Sequence, residues 1–442
     1  MKPMQLCVAG ALTLLLCGCT ANPPATTSGR PSAADHDTTV VTTWNDAVLA
    51  VAEEEDGFLT LKGVRTAAIM HVAMHDAINA IDRRYRPYGE AGTASDADPL
   101  AAIAQAGFEI AVNQYPDAQE RFGKELGRLL DAVPAGSARD KGVRLGAAAA
   151  TAILDRREDD HWNSQPEYQW HPMGPGVYAE FSEHSGTPDG FIFGAGWAIA
   201  SPFMLEGPDH FRSPPPPPID SEAYALAFDE VKELGRFESI SRTADQTHLA
   251  MWWKDFVEKS HNRLARALVA DSELDLWQAT RLFALLNMSI YDAYVSSFDN
   301  KYLYNHWRPY TAIRWASNDG NPATAEDADW NNTHGHTYPF PTYPSAHGTV
   351  CAAAMTILAD SFGDDHAFTM ATSEVSSAGP FSPKIAMEPP TRSFDSFSSA
   401  AMECAMSRVY LGIHFSYDSV AGNELGTQVG RFAVSNFLQP LK

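Results

Sequence analysis

The stretch RLFALLNMSIYDA, residues 281–293, determines the fold class of this 442-residue chain. It is apolar on nearly every side of a helix, which is typical of a helix in the middle of a bundle. The earlier stretch RTAAIMHVAMHDA, residues 65–77, has Arg, Ala, Asp and Ala at the same offsets. The repeat therefore predicts two helical bundles of related architecture.

Helical patterns continue along most of the chain, and convincing alternating strand patterns are absent, so we predict an all-α protein. An aromatic, Pro-rich and Gly-rich stretch from Trp162 to Pro218 separates two helical groups and is predicted to be an ordered crossover. The predicted helices are residues 61–81, 100–114, 141–157, 222–234, 245–270, 274–296, 346–362, 394–410 and 418–437.

The first copy of the repeat places His71 and His75 four residues apart, with Asp76 beside them. This spacing also fits a metal site. The second copy has Asn287 and Tyr291 at the histidine positions. Since equivalent positions are expected to share a role, we favour hydrogen bonding inside the bundle over metal binding.

The composition describes a globular, acidic protein. The chain has 55 Asp and Glu against 32 Lys and Arg, a net charge of −23, and 45% of its residues are hydrophobic. It can therefore bury a core. The surplus negative charge repels polyanions, so we expect no nucleic acid partner. The oligomeric state stays open.

The N-terminus predicts an exported protein. Lys2 precedes an apolar run, residues 6–16, that is too short to cross a membrane as a helix. The sequence Leu16-Cys-Gly-Cys19 resembles the lipobox of bacterial lipoproteins. This implies cleavage after residue 18, a lipid on Cys19 and an outer-membrane anchor on the periplasmic face or cell surface; the alternative is an ordinary secretory signal.

Residues 19–43 are predicted to be a flexible tether, 44–218 an N-terminal helical region with the crossover, and 219–442 a C-terminal helical domain.

The first chemistry-bearing motif is KYLYNHWRP, residues 301–309. Lys301 and Arg308 are seven residues apart, which is two helical turns on one face. They lie among aromatic residues, where an unpaired charge is costly. A bound anion or a carboxylate partner is therefore required.

Two further motifs follow. YPSAHG, residues 343–348, precedes a helix of small residues, and the N–H groups at the start of such a helix favour an oxyanion. SRVYLGIHFSYD, residues 407–418, supplies Arg408, His414 and the carboxylate of Asp418. That carboxylate is spaced to fix the tautomer of the histidine.

Together, Lys-x6-Arg-Pro, Pro-Ser-x-His and Ser-Arg-x5-His-x3-Asp resemble the motifs of the superfamily of type 2 phosphatidic acid phosphatases (PAP2) and vanadium-dependent haloperoxidases. Its members bind phosphate or vanadate in a helical bundle. The resemblance implies that Lys301, Arg308 and Arg408 hold the oxygens of the oxyanion, as cationic side chains are suited to do.

The resemblance also implies roles for the remaining motif residues. Ser345 and the N–H of Ala346 are two further donors, although the family usually has Gly where this chain has Ala346; the added methyl matters only if φ is positive there. His347 is the acid–base histidine. His414 meets the central atom along the apical direction, as the ligand to vanadium, and Asp418 orients it.

The superfamily performs two chemistries with one constellation. A haloperoxidase holds vanadate on His414 and uses hydrogen peroxide, a halide and a small organic acceptor, with vanadium as a Lewis acid. A phosphatase binds phosphate, forms a phosphohistidine at His414 and protonates the leaving oxygen from His347. A third alternative is a surface lipoprotein that binds an oxyanion without turnover.

Four features favour a vanadate-dependent haloperoxidase. The chain is much larger than a minimal six-helix phosphatase. The repeat resembles the paired bundles of large haloperoxidases. The helix at 65–77 and the crossover FRSPPPPP, residues 211–218, resemble bacterial chains grouped with them. FPTYPSAH, residues 340–347, is similar to the fungal chloroperoxidase motif. On this resemblance Phe340 and Phe298 are walls for a halide, with a purely core role as the alternative.

Three further features lie near the second and third motifs. His334 and His336 precede the oxyanion loop as rim groups or metal ligands, though a functional role is not our favoured interpretation. Residues 378–392 are predicted to cover a pocket. An exported protein permits one disulfide between Cys351 and Cys404, but their separation in space does not follow from sequence.

Overall fold

The computed structural model describes residues 37–56, 61–89, 92–179, 192–335, 337–379 and 382–441. The predicted signal, Cys19 and most of the tether lie outside these residues. The described chain is mainly helical, which confirms the all-α class. Its helices are α1 (Thr39–Asp56), α2 (Leu61–Asn79), α3 (Pro99–Gln114), α4 (Gln119–Asp131), α5 (Ser137–Arg156), α6 (Glu222–Leu234), α7 (Ala244–Trp252), α8 (Val257–Ala270), α9 (Leu276–Tyr304), α10 (Pro309–Arg314), α11 (Ala346–Phe362), α12 (Phe397–Tyr410) and α13 (Ser416–Asn436).

The two repeat helices, α2 and α9, are central to the fold. Helix α2 packs against α1, α3 and α5, whereas α9 packs against α8, α11 and α13. The two helices also pack directly on each other, and the ring of His71 stacks on Phe283 with centroids 5.1 Å apart. Both are buried on nearly all sides, as their uninterrupted apolar pattern predicts.

The aspartates of the repeat perform the same task in each copy. Asp76 accepts hydrogen bonds from the backbone N–H groups of Tyr88 and Gly89, at 2.8 and 2.7 Å. Asp292 accepts from the backbone of Phe203 and Met204, at 2.6 and 2.8 Å, and burial raises its pKa to about 6. Each carboxylate thus fixes an extended segment on its bundle, which supports the equivalence of the two helices.

The histidines of the first copy make interior contacts, as favoured. His71 Nε2 lies 3.0 Å from Asn45 Nδ2, and His75 Nδ1 lies 3.2 Å from Asp76. Burial lowers the pKa of His71 to about 3, so its ring is neutral. Within the part of the chain that the structure describes, these side chains form no three-ligand metal group.

Helix α1 is not among the predicted helices, and several helix bounds differ from prediction; α9, for example, continues to Tyr304 instead of ending at residue 296. Helix α1 begins at Thr39, inside the predicted tether, because Trp44 and Val48 bury one face of it in the core. Residues 245–270 form two helices. The chain turns between them so that Trp252 and Trp253 both enter the core, with rings edge to face at 4.9 Å. Tertiary packing decides the start of α1 and the break between α7 and α8.

The expectation of no strands is wrong for residues 368–394. These contain β1 (Phe368–Ala371), β2 (Glu374–Ser376), β3 (Lys384–Ala386) and β4 (Thr391–Phe394), with antiparallel pairs β1–β4 and β2–β3. Phe368 is opposite Phe394, and Ser376 is opposite Lys384. Strands of three or four residues are too short to show alternation in sequence.

Helices α11 and α13 approach very closely. A Cβ on Gly422 would lie 2.4 Å from the carbonyl oxygen of Ser345, and one on Gly426 would lie 1.9 Å from that of Thr349. A disulfide between Cys351 and Cys404 joins α11 to α12. The described helices include none with the length and apolarity needed to cross a membrane.

Candidate active site

The end of α9 and the starts of α10, α11 and α13 bring the three motifs together. Asn305 ends α9 in the left-handed conformation, with φ 46°, and so redirects the chain to Arg308 in front of α10. Ser345 caps α11, Arg408 lies in the last turn of α12, and His414 precedes α13. All of these side chains are buried.

Lys301 is fully buried beneath the loop that leads to α11. Its Nζ donates to the carbonyl oxygens of Pro341, Thr342 and Pro344, at 3.1, 2.7 and 2.6 Å. An ammonium has three donors, and the loop accepts all three. Burial and the neighbouring Arg308 lower the pKa of Lys301 well below its usual value. Lys301 therefore fixes the oxyanion loop, residues 341–345, and acts on the site through its charge.

Arg308 is anchored on one side and open on the other. Its Nε donates to the Phe340 carbonyl at 3.0 Å, and Nη1 donates to the Ile413 carbonyl at 3.0 Å. Nη1 also lies 3.3 Å from His414 Nε2. Nη2 is buried with no hydrogen-bond partner among the described residues. The guanidinium is thus held in place with donors left for a ligand.

Arg408 shows the same arrangement. Its Nη1 donates to the Trp253 carbonyl at 3.3 Å, while Nε is buried without a partner in the described part of the chain. Burial lowers the pKa of Arg408, and a hydrogen bond with Tyr338 opposes that shift. Two arginines therefore present unused N–H groups in a region shielded from water.

His414 is oriented through its Nδ1. This nitrogen lies 3.0 Å from Asp418 Oδ2 and 2.9 Å from Thr342 Oγ1. Thr342 Oγ1 and the backbone N–H of Phe415 also donate to Asp418 Oδ2, at 2.5 and 3.1 Å. Burial raises the pKa of Asp418 to about 7, and the Thr342 hydrogen bond and the charge of Lys301 oppose this.

The tautomer of His414 follows from these contacts. With Nδ1 protonated toward Asp418, Nε2 carries the lone pair. Burial, Arg308, Lys301 and Arg408 together lower the pKa of His414 well below its usual value. His414 is therefore a neutral base whose Nε2 faces the arginines.

Ser345 and Ala346 form the start of the oxyanion helix. Ser345 Oγ accepts from the Gly348 N–H at 3.3 Å, which leaves its hydroxyl proton for another acceptor. Ala346 is the first residue of α11 and does not adopt positive φ. The methyl at the position where the family usually has Gly is consequently accommodated.

His347 projects from the first turn of α11. Its Nε2 is buried and has no hydrogen-bond partner within the described ranges. Burial and Arg408 lower its pKa well below the usual value, against a hydrogen bond to the Trp253 backbone. His347 is therefore neutral near pH 7 and able to accept a proton.

Phe298 and Phe340 form an aromatic wall. Their centroids are 5.2 Å apart, and Phe298 packs on Trp197 at 4.8 Å. Phe340 also faces the two cations, with Lys301 Nζ at 5.4 Å and Arg308 Cζ at 4.8 Å from its centroid. Phe340 thus borders the site directly, while Phe298 supports it from the core.

Three groups at the site lack a signal in the sequence. Thr342 joins His414 to Asp418, and the Trp253 carbonyl holds Arg408. Tyr338 bonds Arg408 and lies 5.6 Å from Arg308 Cζ. Thr342 and Tyr338 stand in the second motif region, but nothing in their spacing indicates these contacts. Trp253 is some 90 residues away from that motif.

His334 and part of the 378–392 segment, both predicted near the entrance of the site, line one cavity. His334 stacks on Tyr338, with centroids 5.3 Å apart, and lines a cavity beside the site. Residues of the 378–392 segment, Ala378 and Lys384, line the same cavity. His336 lies outside the described residues.

The fold and the site together place this chain among helical-bundle proteins in which cationic side chains and a histidine surround one buried position. Residues 281–442 match the family model of the VCPO second helical-bundle domain, which confirms the resemblance. The chain is 24% identical over 273 residues to the vanadium chloroperoxidase of Curvularia inaequalis. That match covers 49% of this chain and 44% of the relative, so it spans less than half of the relative's length.

Solved structures share the fold over a greater length. One is described as the first bacterial vanadium-dependent iodoperoxidase: it has a TM-score of 0.71 and 22% identity, over 92% of this chain and 98% of that one. Another is a holo-type bacterial vanadium-dependent chloroperoxidase, with a TM-score of 0.64 and 14% identity, over 92% and 94%. Both bundles of this chain therefore have counterparts in known structures.

Proposed function

We propose that this protein is a vanadate-dependent haloperoxidase, which oxidises a halide with hydrogen peroxide to a hypohalous-acid equivalent. One observation carries the proposal: Nε2 of His414 and unused N–H groups of Arg308 and Arg408 lie together in one buried site. The names of the relatives support the same activity.

The residues present fit a vanadate ion. Buried donors without acceptors cost free energy, and a tetrahedral oxyanion supplies the missing acceptors. Arg308, Arg408 and Ser345 would hold its oxygens, together with the N–H of Ala346 at the helix start. His414 Nε2 would bind the metal, and the buried charge of Lys301 would balance the anion.

Vanadate held by these residues would supply Lewis acidity toward peroxide, a chemistry that needs no change in the oxidation state of the metal. His347 accepts a proton from the incoming peroxide, since its Nε2 is neutral and open. Asp418 and Thr342 keep Nδ1 of His414 protonated, so Nε2 stays available. Phe340 shields the site from water. The overall reaction consumes one peroxide, one halide and one proton and yields hypohalous acid and water.

The same site also supports a phosphatase. A neutral His414 with its lone pair toward the arginines is a suitable nucleophile for phosphorus, and His347, once protonated, can serve as the acid for the leaving oxygen. We rank this second because the matches are to haloperoxidases. Oxyanion binding without turnover, as a surface lipoprotein, is the third alternative.

A reconstitution experiment distinguishes the three. The purified chain is stripped of bound oxyanion, reloaded with orthovanadate and assayed with peroxide and chloride, bromide or iodide, using bromination of a cyclic dione as a reporter. We expect halide oxidation that requires vanadate. Turnover of p-nitrophenyl phosphate without halide oxidation establishes the phosphatase. If the protein retains vanadate but shows neither activity, it is the non-catalytic binding protein.

We propose further that the protein is exported and anchored to the outer membrane by a lipid on Cys19. The apolar run before Cys19 and the small residue Gly18 support this. So does the Cys351–Cys404 disulfide, because such bonds persist in oxidising compartments.

Fractionation tests this localisation. The wild-type chain should sediment with outer membranes and yield an N-terminal peptide that carries lipid at Cys19. A Cys19→Ala variant should move to the soluble or inner-membrane fraction. An unmodified Cys19 peptide in the mature protein contradicts the anchor.

A further inference from the structure

A cavity of about 360 Å³ is lined by residues that include Tyr338, a neighbour of Arg308 and Arg408. We call it the vestibule. Its walls come from the turn after α7, the start of α8, the segment at Tyr338 and the β2–β3 hairpin. Tyr338 connects the vestibule to the site. Its side chain forms a hydrogen bond with Arg408, and the centroid of its ring lies 5.6 Å from Arg308 Cζ. Tyr338 therefore lines the vestibule on one side and contacts the two arginines on the other.

The vestibule contains cations that have no carboxylate partner. Lys259 pairs with Glu53 at 2.7 Å, and Arg263 pairs with Asp255 at 2.6 Å. The two remaining cations are Lys254 and Lys384, and neither forms a salt bridge with any described residue. Among the residues that the structure describes, Lys254 Nζ donates only to the carbonyl oxygen of Ala378, at 2.7 Å. In a chain with net charge −23, such a pair of lysines is a distinctive local feature.

The cations repel one another. Burial, Arg408 and Lys384 lower the pKa of Lys254 to about 7. The other ionisable groups that line the cavity are the two ion pairs already described, His334, Tyr338 and the exposed Glu374. A bound anion favours the charged form of Lys254 and removes the repulsion, so binding is expected to take up a proton near neutral pH.

The apolar part of the wall is aromatic. Phe256 and Tyr338 line the cavity, and Tyr338 stacks on both Phe340 and His334, with centroids 5.4 and 5.3 Å apart. The volume is that of an ordinary small-molecule pocket. An occupant that satisfies both the lysines and the rings is a small aromatic molecule with one negative charge.

We propose that the vestibule binds a small aromatic carboxylate, with the carboxylate on Lys254 and Lys384 and the ring against Tyr338, as the organic acceptor of the enzyme. Its role as acceptor rests on the proposed function; binding itself does not. In turnover, a ring carbon forms a bond to halogen, the halogen–oxygen bond of hypohalous acid breaks, and the ring proton leaves with the hydroxide as water.

Binding is tested on the full chain with 4-hydroxybenzoate and its neutral analogue 4-hydroxybenzamide, by calorimetry. Orthovanadate is kept in excess so that the oxyanion site is filled. We expect the acid to bind at least about tenfold more tightly than the amide, and more tightly at pH 6 than at pH 8. Lys254→Gln and Lys384→Gln should each remove most of that preference.

Lys232→Gln is the matched control, because Lys232 is also half-buried and donates to one carbonyl, that of Ala325, outside the vestibule. It should bind the acid like the wild type.

Equal binding of acid and amide overturns the proposal. Loss of acid binding when vanadate is added also overturns it, since the acid then occupies the oxyanion site. Circular dichroism of each variant verifies its fold. Because no turnover is measured, the result is independent of the halide assay.

Discussion

Nδ1 of His414 lies 3.0 Å from Oδ2 of Asp418, one helical turn further along the chain. The carboxylate holds the proton on Nδ1 and directs the lone pair of Nε2 toward Arg308. A contact between neighbours in sequence thereby sets the chemical form of the group at the centre of the site.

We expect His414→Ala to abolish vanadate retention and turnover, because no other described side chain offers a nitrogen lone pair at that position. Asp418→Asn should weaken vanadate binding about 10- to 100-fold, as changes behind a metal-binding histidine do. Equilibrium dialysis with orthovanadate measures both effects. Asp329→Asn, an exposed control, should bind normally; full retention in His414→Ala would exclude our site assignment.

Thr342→Val removes the hydroxyl that links His414 to Asp418. We expect a loss of about 1–3 kcal/mol in the free energy of unfolding, since the buried carboxylate loses a donor. Urea denaturation measures it. Thr356→Val, on the middle of α11, removes a half-buried hydroxyl that bonds only the Ala352 carbonyl, and its loss should be smaller. Equal losses of unfolding free energy in the two variants would contradict a specific stabilisation by the Thr342 contacts with His414 and Asp418.

Arg308→Lys retains the positive charge but removes the planar guanidinium and its unused Nη2. Vanadate affinity should fall about tenfold or more, because an ammonium lacks the planar fork that reaches the Phe340 and Ile413 carbonyls and a ligand at the same time. The control is Arg314→Lys, on α10, whose side chain bonds Tyr310 rather than the site. An unchanged affinity in Arg308→Lys contradicts a direct role for Nη2.

Buried neutral histidines make the fold sensitive to acid. Burial lowers the pKa of His71 to about 3, of His306 to about 3 and of His261 to about 4. The unfolded chain therefore binds more protons below pH 6.5, and stability decreases as the pH falls from about 6.5 toward 4. The raised pKa values of Asp292 and Glu258, about 6 and about 7, oppose this in part.

The pH dependence is measured by urea unfolding between pH 4 and 7. His71→Gln should reduce the slope by up to about 1.4 kcal/mol per pH unit, the contribution of one proton. His171→Gln, at an exposed site, should leave the slope unchanged. A slope that His71→Gln does not alter would show that His71 does not titrate on unfolding.

The disulfide joins the helix of His347 to that of Arg408 across 53 residues. Closing such a loop in the unfolded chain accounts for about 4 kcal/mol. We expect Cys351→Ala/Cys404→Ala to unfold at a lower temperature and to bind vanadate more weakly, as measured by calorimetry and dialysis. Dithiothreitol should destabilise the wild type but leave the double variant unaffected; the opposite pattern would contradict this role.

Much of the fold is evident from the sequence because its signals are local. The apolar pattern of 281–293 identifies a central helix, and the Asp shared with 65–77 performs the same backbone-binding task in both copies. Helices α6 and α11 begin and end where predicted. The short strands have no signal in the sequence because three or four residues carry no periodicity, and α1 is not among the predicted helices because its burial depends on the rest of the bundle.

The sequence alone identified the residues that form the candidate site: two arginines, a lysine and two histidines in three motifs, each recognisable from spacing within about a dozen residues. Only the tertiary structure decided how those groups are used. It directs all three donors of Lys301 to the loop, places Thr342 between His414 and Asp418, and forms the vestibule from segments more than a hundred residues apart. Spacing along a helix is a local property, whereas hydrogen-bond partners and cavities depend on which distant segments pack together.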